Sequence, residues 1–261
     1  MKKYILEAHR GVSNEYPENT IAAFDAAVKL GYGMIELDPR FTADNRCVLL
    51  HDPTINRTAR YPNGRTIETS LPINSLTLAE AREYDYGIAA GERYGDPERF
   101  HGVKLPTLEE VLEFGISCKI PLKFDNVLQS HTEAQQKIFL DIVESMGAVD
   151  CVEFTAKSFD FIEKILRRFP NSQIHYDGMV TDESLDRLSQ IVPREQLNIW
   201  MRFDNKNTAW CKNIPVNVEW ADKVHNIANL GVWLLTEETE RLEAVERYSA
   251  DIIETDGSIR P

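Results

Sequence analysis

Residues 4–38 read YILEAHRGVSNEYPENTIAAFDAAVKLGYGMIELD. The stretch opens on a short apolar run, Tyr4 to Ala8, that predicts a first strand, and closes on Met34 to Asp38, which predicts a second. Between them Ile21, Phe24, Val28 and Leu30 recur at helical spacing. They predict a helix over Thr20 to Leu30, entered through Pro17-Glu18-Asn19-Thr20 and closed by Gly31. Strand, helix and strand in this order form one β-α unit of a parallel sheet.

The alternation continues nearly to the end. Cys47 to His51 is a further extended piece, and later strands are predicted at Leu122 to Asp125, Val152 to Thr155, Gln173 to Tyr176, Asn198 to Arg202, Val232 to Leu235 and Asp251 to Glu254. Helices are predicted over Leu108 to Ile116, Glu133 to Ser145, Phe159 to Phe169, Glu183 to Ile191, Glu219 to Leu230 and Glu238 to Tyr248. Counting gives eight parallel strands, so a TIM (β/α)8 barrel is the economical closure; a doubly wound open sheet is the competitor. The expected organisation is one α/β domain over 1–261. Pro53 to Pro106 breaks the repeat, with much Arg, Tyr, Gly and Pro and only a modest helix near Leu78 to Tyr84. A structureless loop of that length is uncommon in a compact domain, so an inserted subdomain is expected at about 53–106.

Hydrophobic residues make up 43% and charged residues 27%, as in ordinary globular proteins. The 42 acids against 29 bases leave a net charge of −13, which argues against nucleic acid and against an anionic membrane surface as partners. A phosphate-bearing small molecule would need a local cation or a few placed bases to overcome that field. Cys47, Cys118, Cys151 and Cys211 are scattered, with no CxxC pair, and read as reduced thiols. The opening Met1-Lys2-Lys3-Tyr4-Ile5-Leu6 is too short for a signal-peptide core, and no run approaches eighteen apolar residues. A cytoplasmic protein with no integral membrane segment is expected, and the acidic surface is compatible with a monomer or a dimer.

The chemistry concentrates at the ends of the early strands. Glu36 and Asp38 are two apart on a predicted strand, so they share a face. At the carboxyl end of a barrel strand that face meets the mouth. Two carboxylates there suit a hard divalent cation, Mg²⁺ or Ca²⁺; an isolated pair of this kind is otherwise a solvated strand end. His9 ends the first strand and is followed by Arg10, a guanidinium able to hold a phosphoryl group bidentately beside an imidazole that can move a proton. His51 precedes Asp52, which is either its orienting partner or a turn residue before Pro53. Two such histidines on adjacent strand ends can serve as general base and general acid. Asn19 or Thr20 can cap the helix that follows, and Glu18 is a candidate supporting residue.

Ala8-His9-Arg10-Gly11, Pro17-Glu18-Asn19-Thr20, Ile35-Glu36-Leu37-Asp38 and His51-Asp52-Pro53-Thr54, in this order and at these spacings, resemble the glycerophosphodiester phosphodiesterase family. Pro106-Thr107-Leu108-Glu109-Glu110, a helix start after the insertion, and the closing Asp251 to Asp256 extend the resemblance over nearly the whole chain. It implies His9 and His51 as the acid-base pair, Arg10 as phosphate ligand, Glu36 and Asp38 as metal ligands, and Glu18 close to the metal. The reaction implied is metal-dependent cleavage of a glycerophosphodiester to glycerol 3-phosphate and an alcohol, within lipid and glycerol metabolism.

Two places depart from the family pattern. The family's third metal ligand is a glutamate in a Glu-x-Lys pair whose lysine touches phosphate. Here Pro121-Leu122-Lys123-Phe124-Asp125-Asn126-Val127 offers Asp125 for the carboxylate and Val127 at the lysine position. Lys157, or Lys123 if displaced onto that face, is the candidate replacement cation. In place of Trp-Thr near the seventh strand the chain has Val232-Trp233-Leu234-Leu235-Thr236, and Trp233 is expected to face the layer between sheet and helices. Two alternatives stay open. One is a lysophospholipase D-like enzyme, resembling the related sphingomyelinase D group, with an apolar groove built from Tyr84, Tyr86 and Tyr94. The other is a catalytically impaired protein that binds phosphate-bearing metabolites.

Overall fold

The computed structural model describes residues 3–261; Met1 and Lys2, part of the opening segment inspected for a leader, lie outside the described residues. Among the described residues eight parallel strands close into a barrel in the order β1, β10, β9, β8, β7, β6, β5, β2. These are β1 (Ile5–His9), β2 (Met34–Leu37), β5 (Leu122–Phe124), β6 (Val152–Ala156), β7 (Ile174–Tyr176), β8 (Leu197–Arg202), β9 (Asn229–Trp233) and β10 (Ile252–Thr255). The helices α1 (Ile21–Leu30), α4 (Leu108–Cys118), α5 (Glu133–Ser145), α6 (Phe159–Arg168), α7 (Asp182–Ile191), α8 (Val218–His225) and α9 (Glu238–Tyr248) accompany them. This is the TIM barrel expected from the sequence, and it excludes the open sheet.

Strand alternation separates two interiors. Outward-facing Ile35, Leu37, Leu122, Phe124 and Phe154 bury themselves against the helices, where Phe139 of α5 meets Phe124 edge-on with centroids 4.8 Å apart. Inside the barrel the layer is polar. Glu7 stands beside Glu254, His9 beside Glu36, Glu36 beside Lys123, and His175 beside Asn198. Buried polar groups need partners, and Lys123, Trp200 and His175 find theirs in this layer. Lys123, 3% exposed, places Nζ 2.8 Å from Glu7 and 3.0 Å from Glu254, and over the Trp200 ring at 3.7 Å. Trp200 in turn donates to His175 at 2.9 Å, and His175 meets Glu153 at 2.6 Å.

Helix starts follow the capping chemistry of the sequence. Thr20 caps α1 by accepting from Ala23 N, and Thr107 with Glu110 forms a reciprocal box at α4. The segment Glu219 to Leu230 corrects the sequence reading. The helix ends at His225 and a strand begins at Asn229, three residues before the predicted start. Pairing of Asn198 to Arg202 with Asn229 to Trp233 captures residues whose local periodicity is also helical.

Between β2 and β5 the chain leaves the barrel. β3 (Pro39–Phe41) and β4 (Cys47–Leu49) form an antiparallel hairpin, and the following segment carries short helices α2 (Leu78–Ala81) and α3 (Ile88–Arg93). A separate apolar cluster of Val48, Leu50, Ile55, Ile67, Ile73, Tyr86 and Leu105 lies beneath it. The segment is fastened to the barrel where Tyr94 and Arg93 donate to the Ser13 carbonyl at 2.9 and 3.0 Å. No described helix is long and apolar enough to cross a membrane.

Candidate active site

A cavity of about 510 Å³ opens at the carboxyl ends of the barrel strands, and His9, Arg10, Glu36, Asp38, His51, Asp125 and Lys157 all line it. Side chains from four strand ends and the hairpin therefore meet in one place. His51 does not come from a barrel strand end, as the sequence reading had it. It follows hairpin strand β4 and is brought over the mouth by the Leu50 N to Asp38 O bond of 2.9 Å.

The chain turns sharply after β1. Arg10 and Asn19 both adopt left-handed backbone, φ 59° and 56°, a conformation costly for residues with a Cβ. Gly11, φ 80°, permits the turn, since a Cβ there would lie 2.7 Å from Ala23. The turn points Arg10 N at Glu36 Oε2, 3.2 Å, and sets Nε 3.3 Å from Asp38 and Nη1 3.3 Å from Glu18. Asn19 donates to Asp38 Oδ2 at 2.7 Å and accepts from Asp38 N at 3.2 Å. Thr20 thus provides the helix cap, and Asn19 orients an acid.

Glu18 lies behind the mouth. It receives both arms of Arg57 at 2.6 and 2.7 Å, and Arg57 Nε donates to Asp52 at 2.7 Å. Asp52 Oδ1 meets His51 Nδ1 at 2.7 Å, so Asp52 is an orienting partner and turns the other ring nitrogen away from itself. Burial works to raise Asp52, but its bonds to Arg57 and His51 bring it down to about 2. Glu18 is likewise held below the usual carboxylate range, burial being outweighed by Arg57 and Arg10. Arg57 carries no motif; its only sequence signal is its place five residues after Asp52.

The acids facing the cavity behave oppositely. Burial, then the neighbouring Asp38, Glu254 and Asp125 charges, drive Glu36 well above the ordinary carboxylate value. Asp38 is raised by burial against the pull of Arg10. Burial lowers His9, 3.9 Å from Glu36, to about 4, so it is a neutral imidazole at neutral pH. Asp125 accepts from Val127 N at 2.8 Å and from Asn126 at 3.2 Å. Among the described residues no three His, Cys, Asp or Glu side chains already converge as a metal cage. The donor set nevertheless suits an oxygen-seeking dication, because carboxylates that raise one another's affinity for protons are relieved by a bound positive charge.

Lys157 follows β6 and sits 3.7 Å from Asp177, a strand-end acid that the sequence reading passed over although it directly follows the predicted strand Gln173 to Tyr176. Burial raises Asp177 to about 7. Asn126 donates to it at 3.0 Å. Lys123 is not displaced to the Val127 position; it forms the cavity floor between Glu7 and Glu254. Trp233 faces the cavity, contrary to expectation, and packs with Met34, Trp200 and Ile252 inside the barrel. Its position opposite Arg202 in the β8–β9 ladder puts it on the inward face. The proposed tyrosine groove is absent from the mouth. Tyr86 is buried and bonded to Ala81 O, Tyr84 packs on Tyr61, Tyr94 is tied to Ser13, and none lines this cavity.

Fold and site together define a TIM-barrel protein with an acid- and histidine-lined mouth built at the strand ends. The model of the glycerophosphoryl diester phosphodiesterase family matches residues 9–227, and the chain belongs to that family. A glycerophosphodiester phosphodiesterase of Bacillus subtilis is 36% identical over 199 residues, 71% of this chain and 65% of its own length. One from Caldanaerobacter subterraneus is 42% identical over 111 residues, 42% of this chain and 40% of its own, so the matched segment spans about two fifths of that relative. Among solved structures, an Oleispira antarctica phosphodiesterase in complex with the product sn-glycerol-3-phosphate superposes with a TM-score of 0.73 at 18% identity, covering 97% of this chain and 93% of that one. A Parabacteroides distasonis glycerophosphoryl diester phosphodiesterase gives 0.72 at 20% identity, covering 98% and 83%. At these identities the structural likeness speaks for the fold.

Proposed function

We propose that this chain hydrolyses glycerophosphodiesters to glycerol 3-phosphate and an alcohol. The observation that carries the reading is the gathering of two histidines, an arginine and three carboxylates around one cavity in a chain of this family. Arg10, which lines the cavity and is held through Nε and Nη1 by Asp38 and Glu18, would offer its guanidinium to a phosphoryl oxygen. His51, paired with Asp52, is suited to hold a proton and pass it to the leaving alcohol oxygen as the P–O bond breaks. His9 takes the proton of the attacking oxygen.

Glu36, Asp38 and Asp125 would hold Mg²⁺ or Ca²⁺, which when bound supplies positive charge to the phosphoryl oxygens. Lys157 adds a cation at the rim in place of the lysine that Val127 replaces. The test is release of glycerol 3-phosphate from glycerophosphocholine and glycerophosphoethanolamine with either metal or with chelator. Turnover that needs metal and falls by about 10²–10⁴-fold in His9→Ala supports the mechanism. Tight binding of glycerol 3-phosphate with no turnover would replace it with the binding-protein reading.

A further inference from the structure

The phosphate-handling groups occupy one side of the cavity; the other side holds an aromatic pair that the proposed chemistry does not use. Trp210 is 75% exposed, yet it lies against Trp233 with ring centroids 5.8 Å apart and planes at 34°. It is also held in place. Its indole nitrogen donates to Asn207 O at 2.9 Å, Asn207 donates to Thr236 at 3.1 Å, and Asn205 of the same loop donates to Glu240 at 2.8 Å. A large aromatic face fixed in water at a cavity mouth is a platform awaiting an apolar or C–H-rich surface.

The remaining lining defines what that surface belongs to. Asn207, Asn213, Lys157 and Asp177 line the same cavity, so the space beside the platform is rich in donors and acceptors and does not suit an alkyl chain. A cationic head group would seek an enclosing cage and an uncommitted carboxylate. Here the platform is open, and Asp177 already faces Lys157 at 3.7 Å and accepts from Asn126 at 3.0 Å. Uncharged amide groups at Asn207 and Asn213 beside the aromatic face fit hydroxyl groups. The cavity, about 510 Å³, is also of the size that takes a drug-sized ligand, larger than a bare phosphodiester core needs.

Resting on the phosphodiesterase reading, we infer that the leaving alcohol is a cyclic polyol or sugar, its C–H face on Trp210 and its hydroxyls toward Asn207, Asn213 and Asp177. Calorimetric titration of the His9→Ala chain, in which binding is read without turnover, tests this with glycerophosphoinositol, glycerophosphocholine and glycerophosphoglycerol. The inositol diester should bind about tenfold more tightly than the choline diester, the discrimination expected of one aromatic stacking contact, and adding Trp210→Ala should bring the two within about twofold. A preference for choline, equal affinities, or a preference untouched by Trp210→Ala would overturn the assignment. So would loss of lysolipid-micelle binding in Trp210→Ala with head-group ratios unchanged, which would make Trp210 a membrane contact. Wild-type glycerol 3-phosphate release is measured alongside. Its absence with all three diesters would sink the hydrolytic reading, while the affinity ratios would still decide the subsite.

Discussion

Arg57 holds two acids that belong to different stretches, Glu18 before α1 and Asp52 beside His51, and so ties the two histidine segments together. Both acids sit below their ordinary values, so the stabilisation they share with Arg57 is complete above about pH 5, where unfolded carboxylates are ionised, and fades as pH falls toward 2. Chemical denaturation of Arg57→Met against wild type should show a stability gap that is widest above about pH 5 and narrows on acidification. A gap independent of pH would mean that Arg57 acts through packing alone. Lys157→Ala tests the rim cation: kcat/KM should fall about 10²-fold, the lower end for a lost charge-stabilising donor, and full activity would remove Lys157 from the site. His9, Arg10, Glu36, Asp38 and His51 were legible because they cluster in short motifs, whereas Asp125 was reached only through the family resemblance, at a place where the chain departs from the pattern. The roles of Arg57, Asp177 and Lys123 were not legible, because Glu18 for Arg57, Asn126 for Asp177 and Glu7 for Lys123 are remote in sequence and only the fold brings them close.

At the level of elements, β8 and β9 show how packing overrules local preference. The predicted helix to Leu230 gives way because strand pairing from Asn198 to Arg202 needs Asn229 to Trp233 opposite it. Gly231 is required there: a Cβ would approach the Trp200 ring to 2.6 Å, and Trp200 carries both the Lys123 contact and the His175 hydrogen bond. Gly231→Ala should destabilise the chain by ~1–3 kcal/mol, the usual cost of overpacking a close-packed interior. Thermal unfolding measures it, and an unchanged midpoint would show that Trp200 moves freely. The insertion was visible as a break in the β-α period, whereas its own apolar cluster and its fastening to Ser13 depend on contacts that no periodicity encodes.

Over the whole molecule, the net charge of −13 sets a field that opposes an anionic substrate, and the cations at the mouth must act against it. For a singly anionic diester such as glycerophosphoglycerol, kcat/KM should rise with added salt as that repulsion is screened, while the zwitterionic glycerophosphocholine should respond far less. A fall with added salt for the anionic diester would mean that local cations dominate the approach. Strand and helix order, the barrel closure and the acid-histidine motifs followed from the sequence alone, since hydrophobic period and short-range spacing are properties of neighbouring residues. The route of His51 into the mouth, the inward face of Trp233, the buried Lys123 floor and the Trp210 platform were decided only by the tertiary structure. Each depends on register and on crossings between distant segments, which fix the side a residue faces and the partner it meets.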